Sequence, residues 1–294
     1  MAKALSISMG SSGTVRDYIS LTKPRLSGFV LFTCAVGLWL APGKIAISPM
    51  LGTLFLTALL VGSANAFNCL LERDTDALMQ RTRTRALPDG RLEPKNAFWF
   101  ALLTGTVSFA GLFFTANTLT ALAGLLALLI YIGCYTPMKR KTTLALYVGA
   151  IPGAMPPLMG WTAITNRLDA GALWLFALLF FWQIPHFLAI SLYLRKDYER
   201  ARLKVFSTVY GERTTIIAAL LSSILLLLVS LVPVSIGLAS VEYGLLAMSV
   251  GCLQVIVAAV GLSEKRSQGW PRLLFFSTLF NLSCLFIGIL IGKM

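Results

Sequence analysis

Residues 50–85 read MLGTLFLTALLVGSANAFNCLLERDTDALMQRTRTR. From Met50 to Leu71 the stretch is almost wholly apolar, and about 20 such residues are enough to cross a bilayer as a helix. Polarity then arrives at helical spacing, through Asn65, Asn68, Glu72 and Asp76. Side chains four apart share a helix face. With Glu72 at zero on the wheel, Asn68 falls at about −40°, Asp76 at about +40° and Asn65 at about +20°, while Asp74 points away. The stretch therefore predicts a membrane helix that turns amides and carboxylates toward one point at the membrane edge. Polar groups at that depth are expensive, so a functional use is the default expectation.

The apolar pattern recurs along the chain. Of 294 residues, 57% are hydrophobic and 13% charged, and the mean hydropathy is +0.79, too apolar for a soluble domain of this length. Apolar stretches near 27–42, 50–71, 96–115, 118–137, 143–164, 170–194, 214–238, 241–262 and 272–292 predict an all-α integral membrane protein of nine transmembrane helices. All but Lys44, Arg167 and Lys293 of the 25 basic residues fall before the first stretch or in alternate loops. By the positive-inside rule those loops and the N-terminus are cytoplasmic and the C-terminus is outside. The net charge of +13 thus reflects topology and membrane lipid, and no nucleic-acid partner is expected. The first 25 residues hold no apolar signal core and are not strongly Arg-rich, so a bacterial inner membrane is the expected location. Cys34, Cys69, Cys134, Cys252 and Cys284 form no CxxC and read as small core residues.

Residues 1–26 read as a cytoplasmic segment and 27–294 as a single polytopic domain. Cytoplasmic loops at about 72–95 and 195–213 contain every acidic residue from Glu72 to Glu212 except Asp169, so chemistry is expected on the cytoplasmic side. Leu71-Glu72-Arg73-Asp74 is weakly echoed by Leu194-Arg195-Lys196-Asp197.

Three constellations carry the chemistry. The Asn68, Glu72, Asp76 set offers only oxygen ligands, which suits Mg²⁺ held by a few carboxylates together with substrate phosphates. Arg81, Arg83 and Arg85 follow at once, and arginine forks match phosphate oxygens; the alternative is topology anchoring at lipid headgroups. On the sixth helix His186, the one histidine of the chain, shares a stripe with Gln183, Tyr193 and Asp197. It could bind an iron, move a proton, meet a substrate carboxylate, or simply bond a neighbouring helix. Third, Tyr131 and Tyr135-Thr136-Pro137-Met138-Lys139-Arg140-Lys141 precede a segment with Pro152, Pro156 and Pro157 among Gly149, Gly153 and Gly160. Such a segment would break a simple helix, and suits either a cavity wall or close packing.

Asn68-x3-Glu72-x3-Asp76, followed by Arg81-Thr82 and Arg85, resembles the first acidic motif of the UbiA-type intramembrane prenyltransferases. Glu72-Arg73-Asp74-Thr75-Asp76, Tyr135-Thr136-x2-Lys139-Arg140, Gly153-Ala154-x-Pro156-Pro157-x2-Gly160 and Trp182-Gln183-x-Pro185-His186-Phe187 look together like the branch of that family that farnesylates haem. The resemblance covers residues 23 to about 213. It implies a nine-helix bundle around a central cavity, with farnesyl diphosphate and haem B as substrates and Mg²⁺ as cofactor. Metal would be held by Asn68, Glu72, Asp76 and Asp197, and diphosphate by Arg81, Arg83, Arg85, Lys139 and Arg140. Haem would lie by His186, Gln183, Tyr193, Arg195 and Lys196. Haem-handling or terminal-oxidase assembly proteins are the implied protein partners. Two positions depart from the pattern: Glu72 stands where Asp is usual, and Ala201 follows Asp197 where a second Asp is usual. A quinone-precursor acceptor, and a transporter, are the competing readings.

Overall fold

The computed structural model describes residues 12–292; Lys3 and Lys293 of the charge pattern, and residues 1–11 of the N-terminal segment, lie outside it. The described helices are α1 (Val15–Leu21), α2 (Pro24–Leu40), α3 (Ile47–Leu71), α4 (Arg73–Leu78), α5 (Pro94–Thr115), α6 (Thr118–Met138), α7 (Ala145–Thr165), α8 (Ala170–Tyr193), α9 (Arg195–Arg200), α10 (Phe206–Val209), α11 (Gly211–Ser235), α12 (Val241–Val260) and α13 (Trp270–Ile291). Seven of them, α3, α5, α6, α8, α11, α12 and α13, are long and apolar enough to cross a membrane. Of the other two expected spans, α2 has 17 residues and α7 carries three internal prolines.

Local chemistry explains the ends. Asp169 accepts from the amides of Gly171 and Ala172 (3.1 and 3.2 Å) and so caps α8. Pro24 sits in the first turn of α2, where its missing N–H costs nothing. Lys23 before it adopts left-handed backbone, φ 49°, unusual for a residue with a Cβ.

The prolines do not break α7, which runs unbroken from Ala145 to Thr165. Its small residues instead bring a neighbour close: a Cβ on Gly160 would lie 2.1 Å from the Cys34 carbonyl oxygen, and one on Gly37 would lie 2.0 Å from that of Pro157. α2 and α7 therefore cross at near-backbone contact. Between helices, polar side chains supply glue worth about 0.6 kcal/mol each in a bilayer. Ser63 donates to the Ala101 carbonyl (2.7 Å), Asn117 to that of Thr162 (2.7 Å) and Trp174 to that of Val229 (3.0 Å). The cysteine expectation holds for Cys34 and Cys69, which are buried; Cys134 and Cys252 are exposed, since they fall on outward helix faces.

Candidate active site

A cavity of about 880 Å³ lies among α2, α3, α6, α7 and α8, with α13 closing one side. Its inner wall is apolar and aromatic, including Phe29, Met155, Met159, Trp182 and Phe275, and its rim is charged. Among the described residues the lining carries six basic side chains, Lys23, Arg25, Arg81, Arg85, Lys139 and Lys204, against two acidic ones, Glu72 and Asp76. An excess of cations, three half-buried (Lys23, Arg85, Lys139) and three exposed (Arg25, Arg81, Lys204), at the mouth of an apolar chamber suits an anionic head with a hydrocarbon tail.

The Asn68, Glu72, Asp76 set is present, but not on one continuous helix. α3 ends at Leu71 and Glu72 turns the chain (φ −94°, ψ 4°) into the separate α4, which carries Asp76. The two carboxylates are pulled by cations from different elements: Lys139 Nζ lies 2.9 Å from Glu72 Oε1, and Arg85 donates to Asp76 Oδ2 at 2.6 Å. The Thr82 hydroxyl donates to the Asp76 carbonyl (2.8 Å) and folds the arginine segment back over the site. Asn68 accepts from Lys23 Nζ at 2.7 Å through Oδ1 and donates to Thr136 Oγ1 at 3.3 Å. Each of these three side chains thus already pairs through an oxygen with one cation. Burial opposes the charge on Glu72, yet Lys139, with Lys23 and Asn68, keeps its carboxyl below the usual range. Burial likewise pulls Lys23 below the ordinary ammonium value.

The arginines and lysines divide. Arg81, Arg85 and Lys139 line the cavity, and Lys139 also lies over the Tyr135 ring, 4.6 Å from its centre. Arg83 and Arg140 are exposed and do not line it, though Arg140 bonds the Thr75 hydroxyl and so ties α6 to α4.

The second stripe is also interrupted. α8 ends at Tyr193 and Leu194 (φ −104°, ψ 21°) turns the chain into α9, the same one-residue break that separates α3 from α4. The two breaks do not follow the sequence echo: Leu71 is the last residue of its helix, whereas Leu194 is itself the turning residue, so the echo is one position out of register with the geometry. Beyond the break Asp197 does not line the cavity; it pairs with Arg200 at 3.3 Å, and the loop sends in Tyr198 and Lys204 instead. Burial pushes the Tyr198 phenol up. Arg195, paired with Glu199 (2.7 Å), and the exposed Lys196 also stay outside. Tyr193 lines the cavity with Arg272 over its ring, 4.7 Å from its centre. Gln183 lines it as well, but its amide nitrogen is spent on the Ala150 and Leu179 carbonyls (both 3.0 Å), and Gly153 leaves the space its carboxamide fills. His186 is buried, lines the cavity, and bonds Thr278 of α13 through Nδ1 at 2.8 Å.

Sequence reasoning missed Lys23, Lys204 and Thr278, and named Thr136 without the bond it makes to Asn68. Lys23 passed for a topology anchor, although Lys-Pro at a helix start was a visible signal. Thr136 depends on a π-helical turn over Ile130–Tyr135, which brings Tyr131 and Tyr135 to the wall and which no periodicity rule anticipates.

The chain belongs to the UbiA prenyltransferase family, whose model matches residues 30–282. It is a multi-pass membrane enzyme of prenyl transfer. A protein named Protoheme IX farnesyltransferase from Anaeromyxobacter dehalogenans (strain 2CP-C) is 48% identical over 279 residues, covering 95% of this chain and 94% of that one. Among solved structures, a digeranylgeranylglyceryl phosphate synthase has the same fold, with a TM-score of 0.80 at 14% identity over 95% of this chain and 98% of that one. A UbiA homolog from Archaeoglobus fulgidus bound to GPP and Mg²⁺ gives 0.69 at 15% identity, over 93% and 99% of the two chains.

Proposed function

We propose that the protein transfers the farnesyl group of farnesyl diphosphate to a vinyl group of haem B, giving haem O. The observation that carries this reading is one cavity with two chemistries: a cation-rich rim bearing Asn68, Glu72 and Asp76, and an apolar aromatic chamber holding His186. The near full-length relatives named for protohaem IX farnesylation support haem as the acceptor.

The oxygens of Asn68, Glu72 and Asp76 fit Mg²⁺, since they are hard donors that already attract one cation each. Bound there, Mg²⁺ would neutralise diphosphate charge and so favour departure of that group. Lys23, Lys139 and Arg85, freed from those oxygens, together with Arg81, would face the leaving diphosphate as fixed positive charge. The C–O bond of the allylic ester ionises, and the apolar chamber withholds water from the allylic cation. The vinyl carbon attacks it, water adds to the resulting porphyrin-side cation, and the water's second proton leaves to solvent, which yields a hydroxyethylfarnesyl side chain. Arg83, Arg140, Arg195, Lys196 and Asp197 act from outside this chamber, in lipid contact or in bracing the two loops.

The positive loops support a bacterial inner-membrane protein of nine crossings with the cavity mouth and N-terminus in the cytoplasm and the C-terminus outside. Incubating purified protein with haem B, farnesyl diphosphate and Mg²⁺ should produce the mass of haem O. Its absence, with prenylation of an aromatic quinone precursor in the parallel reaction, would overturn the haem reading.

A further inference from the structure

The Thr278 hydroxyl oxygen lies 2.6 Å from the Phe275 carbonyl oxygen and 2.8 Å from His186 Nδ1. A carbonyl oxygen can only accept, and two oxygens that close repel unless a proton lies between them, so the single hydroxyl proton points at Phe275. Having donated that proton, Thr278 Oγ1 accepts from His186, which puts a hydrogen on Nδ1. In a neutral imidazole the other nitrogen, Nε2, then carries a lone pair.

The ring's orientation is fixed as firmly as its tautomer. It stacks on Trp182 (centres 4.6 Å apart, planes 22° apart) and lies against Phe275 (4.9 Å, 34°), so its faces are covered and an edge remains. Trp182 Nε1 donates to the Thr278 carbonyl at 2.7 Å, tying the stacking partner to the same residue that holds the imidazole. Among the described residues nothing donates to Nε2, and His186 lines an apolar part of the cavity with Phe29, Phe187, Phe275 and Leu279. At about 1.5 Å per residue it sits about 10 Å inside the α8 end at Tyr193. A bond to a neighbouring helix would explain Nδ1 and leave Nε2 without purpose.

We infer that His186 presents Nε2 as the ligand to the iron of the haem substrate, and that Thr278 is the positioning residue that sets its tautomer and angle. A partner on the far nitrogen is how proteins orient a metal-binding imidazole. The inference rests on the haem reading above.

Because the chain has one histidine, labelling with ¹⁵N-histidine marks this ring alone, provided the affinity tag contains none. The apo protein should give the nitrogen signals of an Nδ1–H imidazole. With ferrous haem b bound, the iron–histidine Raman band should move on labelling. Thr278→Val should weaken haem binding about 10- to 100-fold and mix the tautomers, while Thr278→Ser preserves both. His186→Ala should lose the histidine-ligated spectrum and regain it with added imidazole. An Nε2–H signal in the apo protein, or haem uptake with a label-insensitive spectrum, overturns the ligand role and leaves haem as substrate. No haem uptake by the wild type overturns both; the wild-type spectra decide the matter even if a variant fails to fold.

Discussion

Gly160→Ala should damage stability and turnover together, because it pries apart two walls of the cavity. The new Cβ would stand 2.1 Å from the Cys34 carbonyl oxygen and 2.8 Å from the Leu38 nitrogen, both backbone atoms that cannot rotate aside. Ordinary contact begins at 3.4 Å, so α2 and α7 must part by about 1.3 Å at this level. Overpacking of this kind costs about 1–3 kcal/mol. α2 carries Phe29 and Thr33 into the cavity, and α7 carries Gly153, Met155 and Met159. A misplacement of about 1 Å in a reacting assembly costs about a hundredfold in rate, so kcat should fall by about that much. Gly37→Ala meets the Pro157 carbonyl at 2.0 Å and demands the same separation. One movement relieves both clashes, so the double variant should cost less than the sum of the singles, by about 1 kcal/mol. Unfolding by denaturing detergent gives the stability differences, and haem O formation gives kcat. If Gly160→Ala unfolds within about 0.5 kcal/mol of wild type and keeps its kcat, the near-backbone crossing is wrong.

Asp76→Asn keeps the shape and removes the charge that meets Arg85, so haem O synthesis should fall at least about a hundredfold while membrane insertion and detergent stability persist; near-normal turnover would sink the metal assignment. Asp197→Asn should cost less than about tenfold, since Asp197 faces Arg200 outside the cavity, and an effect equal to that of Asp76→Asn would return it to the ligand set. Chelation should abolish turnover and added Mg²⁺ restore it. Farnesyl thiodiphosphate should bind at least about tenfold more weakly without Mg²⁺, because Lys23, Lys139 and Arg85 are then still held by protein oxygens; equal affinity with and without the ion would refute that competition.

Membrane spans and basic loops were readable because a bilayer imposes long apolar runs and a charge asymmetry, and those constraints act residue by residue along the chain. That Asn68, Glu72 and Asp76 line one cavity was readable from their four-residue spacing, although α3 stops at Leu71 and Asp76 sits on α4. Over a longer interval the same wheel fails. From His186 to Asp197 the projection runs over eleven residues and across the turn at Leu194, and Asp197 pairs with Arg200 instead of lining the cavity. What lay beyond reach altogether are pairings set by tertiary packing. Lys23 meets Asn68 across 45 positions and Thr278 meets His186 across 92, with no local pattern to announce either. These distant partners set the local charge and hydrogen bonding: Lys23 places an ammonium on the Asn68 oxygen, and Thr278 holds the His186 ring through Nδ1. Sequence periodicity therefore names the groups at the site, while their protonation and charge pairing come from helices that meet only after the bundle has closed.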